Sequence, residues 1–469
     1  MIKNYDCIKG GLDQVANYFT YNSPFEEQHP IARRDQLKYR FLELTKKCNM
    51  ACEHCGSNCS TTTSGSELTT EQWKEFILYA SKQFDNNRVV FCITGGEPLL
   101  HPDFFEIVKT IKKAGFKWGL TTNGLMIKDA EYVRELYLSG MKTISLSIDG
   151  LRETHDSFRG IDGAYDKTMT VVRLLLERNK HAHVQITTTV SKKNLSELNS
   201  LYEELKQHGV RDWRIASVDP IGRAKGSNDL LLDEMDYDEL FSFITNKRRE
   251  NEINVTYGCA HYIPDSFRFY LRDMPYKCGA GEFVASVLSN GDIYSCVDIE
   301  RRPDLVQGNI LKDDFLQVWE CGFHQFMGTE RVKLSSKCVK CGNKKLCNGD
   351  SAHTWDYDKN EPRLCLYELM RKQKYRELGR CGKCGNYLEE DALFCETCGT
   401  KRGDGTFEHF DFSDEMFQTL YGPPPMNYRF TCKECGAQWN RVLMSSDSIK
   451  YCPICGKSKI QNTCEDTFW

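Results

Sequence analysis

Three cysteines, Cys48, Cys52 and Cys55, spaced C-x3-C-x2-C, constrain this chain more than any other feature. Three thiolates can hold three irons of a 4Fe–4S cube. The fourth iron is then open to a second molecule, to which it can pass an electron. Tight cysteine spacing can also mean zinc, but a structural zinc site wants four closed ligands, usually as two pairs. About forty residues on, Gly95-Gly96-Glu97-Pro98 directly follows an apolar run that reads as a strand.

From Lys38 to about Ser217 the pattern alternates strand and helix. The expected strands are Arg40–Leu44, Arg88–Ile93, Lys117–Thr121, Thr143–Ser147, His183–Thr189 and Asp212–Ser217. Trp73, Phe76, Ile77, Ala80 and Phe84 fall on one helical face, behind a capping box of Thr69 and Gln72. Phe104, Ile107, Val108, Ile111 and Ala114 make a second face, stopped by Gly115. Further helices fit Ala130–Ser139, Tyr165–Asn179 and Leu195–His208. This alternation predicts an α/β fold, a parallel sheet with covering helices. Barrels of this kind carry their chemistry at the C-terminal ends of the strands, where the cysteine triad and the Gly-Gly-Glu turn both fall.

The triad and that turn together resemble the radical S-adenosylmethionine (radical SAM) superfamily. The resemblance implies a partial (β/α)6 TIM-like barrel whose catalytic 4Fe–4S cluster is held by Cys48, Cys52 and Cys55. It implies S-adenosylmethionine as cofactor, cleaved reductively to a 5′-deoxyadenosyl radical that abstracts hydrogen from a substrate. His54 would lie beside the adenine. Gly95, Gly96 and Glu97 would receive the methionine amino group. Ser147 would meet the ribose, with Asp149 close by. Thr122-Asn123-Gly124 is expected to line the cavity. His155-Asp156, Arg159-Gly160 and Pro220-Ile221-Gly222-Arg223 resemble the peptide-modifying branch. Arg159 would face anionic groups of the cofactor or lie on the surface.

Cysteines resume at Cys278. Cys278, Gly291 and Cys296, then Cys338, Cys341, Cys347 and Cys365, resemble the SPASM extension of radical SAM maturases. In that family Cys338, Cys341, Cys347 and Cys365 match one auxiliary cluster. Cys278 and Cys296 match a second, whose further cysteine would stand where this chain has Ser351. One or two auxiliary iron–sulfur clusters are therefore expected. The second could be assisted by Asp350, Cys259 or Cys321, could be an open or 2Fe–2S centre, or could be absent. Zinc in a plain scaffold is the structural alternative.

Two small modules close the chain. Cys381, Cys384, Cys395 and Cys398 read C-x2-C-x10-C-x2-C, and Cys432, Cys435, Cys452 and Cys455 read C-x2-C-x16-C-x2-C. Both have zinc-ribbon spacing, and modules this small need metal to fold. The second also resembles rubredoxin, so iron stays open there. The expected division is an N-terminal extension (1–37), a core barrel (38–230), a connecting region (231–277), a SPASM-type domain (278–375), a first ribbon (376–404), a linker (405–427) and a second ribbon (428–469).

The chain holds 23 cysteines in 469 residues, with a formal charge of −4. Lacking an apolar signal core in Met1–Cys7 and an apolar run long enough to span a bilayer, it is expected in a reducing cytoplasm. The charge balance argues against nucleic acid and the apolar pattern against a membrane. A peptide or protein substrate is the leading expectation, with flavodoxin or ferredoxin as electron donor. Leader recognition would fall to a separate protein or to the ribbons. A small molecule, such as a sugar or haem precursor, is the second reading, and a non-catalytic metal scaffold the third.

Overall fold

The computed structural model describes residues 33–62, 65–178, 182–258, 261–263, 270–272, 278–370, 393–396, 398–401, 426–443 and 450–467. The chain forms two compact units. One is Met1–Val339 with Cys347–Leu364, the other Lys340–Leu346 with Cys365–Trp469.

The first unit is built on one sheet. Strands β1 (Tyr39–Glu43), β2 (Val90–Thr94), β3 (Lys117–Thr122), β4 (Met141–Ser147), β5 (His183–Val190) and β6 (Asp212–Ser217) pair in parallel, each with the next. These are the six expected strands, shifted by at most two residues. The sheet then exceeds the expectation on both sides. The connecting region supplies β7 (Asn254–Tyr257), parallel to β6. The cysteine-bearing region adds β8 (Val284–Val287) parallel to β1, followed by β9 (Asp292–Tyr294) and β10 (Gly308–Asn309), both antiparallel. The order is β10-β9-β8-β1-β2-β3-β4-β5-β6-β7, so among the described residues the sheet is open at β7 and β10.

Helix α1 (Thr70–Gln83) begins with the expected capping box. Gln72 N–H donates to Thr69 Oγ1 at 3.3 Å, and Thr69 N–H to Gln72 Oε1 at 2.8 Å. Its face of Trp73, Phe76, Ile77 and Ala80 is buried. Helix α2 (Phe104–Lys113) stops before Gly115, whose φ of +86° only glycine adopts cheaply. Helices α3 (Ala130–Leu138), α4 (Arg152–Arg159), α5 (Ala164–Arg178), α6 (Leu198–Gln207) and α7 (Glu234–Glu250) complete the alternation. Arg40 of β1 is fully buried, with its guanidinium 4.2 Å from the ring centre of Phe84 and 4.7 Å from that of Phe315. Among the described residues, four aromatic faces surround that charge. Among the described residues no helix is long and apolar enough to cross a membrane.

In the second unit Met426–Cys432 pairs antiparallel with Gln438–Leu443 and Ile460–Thr467. The two cysteine modules are joined rather than separate. Leu393 and Phe394 N–H donate to Pro453 O, while Lys450 and Tyr451 N–H donate to Glu396 O. Phe394-Cys395-Glu396 and Tyr451-Cys452-Pro453 occupy equivalent places in their knuckles, so the exchange is reciprocal. The glycines repeat it. A Cβ on Gly399 would meet the Tyr451 ring at 2.9 Å, and one on Gly456 the Phe394 ring at 2.6 Å.

Candidate functional site

The chain leaving β1 runs beside the turn after β2. Gly96 N–H donates to Thr45 O and Glu97 N–H to Lys47 O, each at 2.8 Å. A Cβ on Gly95 would fall 2.4 Å from Thr45 O, and one on Gly96 2.2 Å from Lys47 O. The segment leading into Cys48 thus demands both glycines, independently of any ligand.

Glu97 is fully buried. Its Oε1 accepts from Thr122 Oγ1 at 2.8 Å and Leu99 N–H at 3.1 Å, and its Oε2 from Asn123 N–H at 2.8 Å. Burial pushes this carboxyl up to about 7, against those bonds. Asn123 Nδ2 in turn donates to Asn49 Oδ1 at 2.7 Å. Glu97 therefore fastens the turn after β3, which itself fastens the residue after Cys48.

Cys48 and Cys52 are buried with Met50, Cys59 and Ala164, and Cys55 packs against the same group. Burial pushes the Cys48 thiol up to about 11 and raises that of Cys52. Cys55 is held low, first by a hydrogen bond from Cys59. Cys59, four residues past Cys55, is only 2% exposed. Converging thiols in apolar surroundings ionise when a cation compensates them, which fits a metal cluster. Among the described residues, only Cys432, Cys435, Cys452 and Cys455 form a set with ligand atoms all within 4.8 Å of one another.

Around the triad lies a buried polar network. Asp149, two residues past β4, accepts from Arg159 Nε at 2.6 Å and from Thr189 N–H at 2.8 Å. Its own N–H donates to His155 Nδ1 at 3.0 Å. Burial opposes its charge, but Arg159 and then His54 hold the carboxyl below its ordinary value. Arg159 Nη1 reaches Cys52 Sγ at 3.6 Å. It is a buried residue, not a surface arginine, with a charge that serves both a carboxylate and a thiol.

His54 stacks on Phe158 with ring centres 4.3 Å apart, and its Nε2 lies 3.6 Å from Asp149 Oδ2. Burial lowers it to about 4, so the ring is neutral at pH 7. Its Nδ1 is buried without a hydrogen-bond partner. Ser147, the last residue of β4, is half-buried beside Thr187 of β5.

The turn after β6 closes over the cysteine loop. Arg223 donates from Nε to Cys52 O and from Nη1 to Cys59 O, both at 2.6 Å, and its N–H to Cys55 O at 3.0 Å. A Cβ on Gly222 would lie 2.2 Å from Cys55 O. Beyond its resemblance to the peptide-modifying branch, Pro220–Arg223 carries no sequence signal for this clamp, because its partners lie more than 160 residues away.

Cys278 accepts from Ala352 N–H at 3.4 Å, and Cys296 Sγ lies 4.0 Å from Asp298 Oδ2. Asp350, considered as an assisting ligand, is already a hydrogen-bond acceptor. It accepts from Tyr262 N–H at 2.9 Å and Ser351 N–H at 2.8 Å, and stands 3.6 Å from His261 Nδ1. Cys321 is disulfide-bonded. Cys338 and Cys347 belong to the first unit, Cys341 and Cys365 to the second. In the second ribbon Cys432 and Cys455, and Cys435 and Cys452, approach to 3.6 Å. Of the first ribbon, Cys395 is buried and Cys398 half-buried. Cys381, Cys384 and Cys259 lie outside the described residues.

Comparison with known proteins agrees with this architecture. The Radical SAM superfamily matches residues 42–205, and an iron-sulfur cluster-binding domain, SPASM, matches 278–342. The AdoMet-dependent heme synthase of Methanosarcina barkeri is 31% identical over 351 residues, covering 70% of this chain and 96% of that protein. The subtilosin biosynthesis protein AlbA of Bacillus subtilis is 25% identical over 404 residues, covering 84% of this chain and 80% of that one. In fold, the structure resembles anSMEcpe with bound AdoMet and a Kp18Cys peptide, with a TM-score of 0.56 at 21% identity, over 72% of this chain and 96% of that one. A parallel sheet with the cysteine loop at its C-terminal edge, these family matches and a heme synthase matched over nearly its whole length place the chain in the radical SAM superfamily, with a SPASM iron–sulfur domain.

Proposed function

We propose that this radical SAM enzyme modifies a peptide or protein side chain, with Cys48, Cys52 and Cys55 as ligands of its catalytic 4Fe–4S cluster. When bound and reduced, such a cluster cleaves S-adenosylmethionine and so supplies a 5′-deoxyadenosyl radical. The chain's own residues do the rest. Arg159 and Asp149 set the charge beside Cys52. Gly95, Gly96, Glu97 and Ser147 stand at the strand ends where the cofactor's polar groups would be received. His54 offers a neutral ring and an unpartnered Nδ1 to the adenine. Arg223 keeps the cysteine loop closed.

The observation that carries the choice of substrate is the joined pair of ribbons. It lies outside both family-matched regions, 42–205 and 278–342. Pinned by metal at its thiols, a body of that kind would offer a surface to a macromolecular partner, whether the substrate, a leader-binding protein or a flavodoxin- or ferredoxin-type electron donor. AlbA, a bacteriocin biosynthesis protein, supports the same reading. The 31% identity to a heme synthase favours a second one, in which the substrate is a porphyrin.

The test is a competition. The reconstituted enzyme is incubated with S-adenosylmethionine, dithionite and either a short peptide encoded beside its gene or iron coproporphyrin III. A mass change in the peptide alone supports the proposal. Conversion of the porphyrin to heme with an unchanged peptide overturns it in favour of the second reading.

A further inference from the structure

The family's spacing calls for a cysteine at position 351, and Ser351 stands there. Its hydroxyl is used by the backbone, accepting from His261 N–H at 3.0 Å. The neighbouring Asp350 carboxylate is directed to Tyr262, Ser351 and His261. Yet this turn still lies on Cys278, since Ala352 N–H meets its sulfur at 3.4 Å. Tyr357, whose hydroxyl donates to Ala352 O at 2.9 Å, lies within the field of both Cys278 and Cys296. The two thiols and the turn therefore share one small region of the first unit.

The next residue of that turn is His353. Its Nε2 lies 3.0 Å from Asp219 Oδ2, and the other oxygen of Asp219 lies 2.6 Å from His261 Nε2. Asp219 is thus flanked by two imidazoles, and a carboxylate oxygen at that distance accepts from the Nε2–H tautomer of His353. In the neutral tautomer protonated at Nε2, the lone pair of the ring is on Nδ1. Metal-binding histidines have this arrangement, with the carboxylate fixing tautomer and ring orientation. Strain points to the same place. Both His261 and Asp350 hold left-handed backbone, at φ of 59° and 60°, which side-chain-bearing residues adopt at a cost.

We propose that His353 replaces the missing cysteine as a ligand of an auxiliary iron–sulfur site held by Cys278 and Cys296, with Asp219 as its orienting carboxylate. The inference rests on the radical SAM reading but not on the choice of substrate. Exchanging a thiolate for neutral imidazole makes the site less negative and raises its reduction potential, as in clusters where histidine replaces cysteine. The departure at position 351 is then an exchange of ligand and not the loss of a site.

The test uses the full chain with Cys48, Cys52 and Cys55 changed to alanine, reconstituted anaerobically with iron and sulfide and reduced. Pulsed electron paramagnetic resonance with 15N-labelled histidine reads the ligand directly. The expected result is a strongly coupled histidine nitrogen that vanishes in His353→Ala and in Cys278→Ala. His353→Cys should keep the iron while losing the nitrogen coupling, which separates ligand exchange from misfolding. Absence of the coupling, its persistence in His353→Ala, or its loss in Cys259→Ala with retention in His353→Ala would overturn the assignment. Cofactor cleavage is measured separately on the native chain. Its failure would sink the enzymatic reading without touching the nitrogen signal.

Discussion

Arg159 is held by Asp149 at 2.6 Å through Nε and reaches the sulfur of Cys52 at 3.6 Å through Nη1. The aspartate sets where the guanidinium lies, and the guanidinium sets the charge felt by one proposed cluster ligand. Hydrogen bonds to ligating sulfur raise a cluster's reduction potential. Arg159→Gln should lower the midpoint potential of the catalytic cluster, read by redox titration in the absence of S-adenosylmethionine. Its cleavage rate should fall about 10–100-fold, the usual cost of losing an outer-shell partner. Asp149→Asn should move both quantities in the same direction. An unchanged potential in Arg159→Gln would detach this pair from the cluster.

Gly96 is a steric requirement of the cysteine loop. A methyl group there would meet Lys47 O at 2.2 Å, a backbone atom that cannot swing aside. Gly96→Ala should cost about 1–3 kcal/mol as overpacking does, measured by chemical denaturation. It should also reduce iron incorporation by displacing the segment before Cys48. Full iron loading with a cofactor-binding defect alone would mean that the glycine serves the ligand and not the loop.

His261 gives the first unit a pH dependence. Burial opposes its charge, but Asp219 and then Asp350 raise it to about 10, with His353 the fourth group of the cluster. The raised value stabilises the fold fully below about 6.5, the ordinary histidine value, and that contribution is lost as pH climbs through about 10. Asp219 is depressed, first against burial and then by His261, so its contribution is present above the ordinary carboxylate range and lost on acidification. Thermal unfolding between pH 6 and 10 should show a decline that His261→Gln flattens. Asp219→Asn should cost about 3–5 kcal/mol, as breaking a buried pair does. A native decline unchanged in His261→Gln would assign it to other groups.

The ribbons should act as one body. Each knuckle donates to the other's backbone, and each glycine receives the other's ring. Gly456→Val, which meets the Phe394 ring, should weaken metal retention at the Cys395–Cys398 knuckle as well as its own, measured by release to a chromogenic chelator. Removing residues 381–469 should leave cofactor cleavage near native and weaken binding of a peptide substrate. Equal loss of both would make the ribbons structural to the first unit.

The six parallel strands were legible because apolar runs of strand length alternate with amphipathic faces, and Thr69–Gln72 and Gly115 mark helix ends by local chemistry. The seventh strand, Asn254–Tyr257, was not, since four residues with two buried side chains carry little periodicity. The positions of the cysteines and the Gly-Gly-Glu turn at strand ends followed from spacing. What held them did not. Arg159 looked as much like a surface arginine as a functional one, because its partners Asp149 and Cys52 lie 10 and 107 residues away. The ribbons read as separate modules because their mutual hydrogen bonds are backbone ones, which composition does not encode.

On the proposed function, Cys48, Cys52 and Cys55 support reductive cleavage of S-adenosylmethionine. The most direct test is anaerobic reconstitution of the native chain and of Cys52→Ala, followed by S-adenosylmethionine, dithionite and mass spectrometry for 5′-deoxyadenosine. The native chain should form it and Cys52→Ala should form none, while Cys52→Ala keeps the iron of its auxiliary sites. Product from Cys52→Ala, or none from a fully loaded native chain, would contradict the claim.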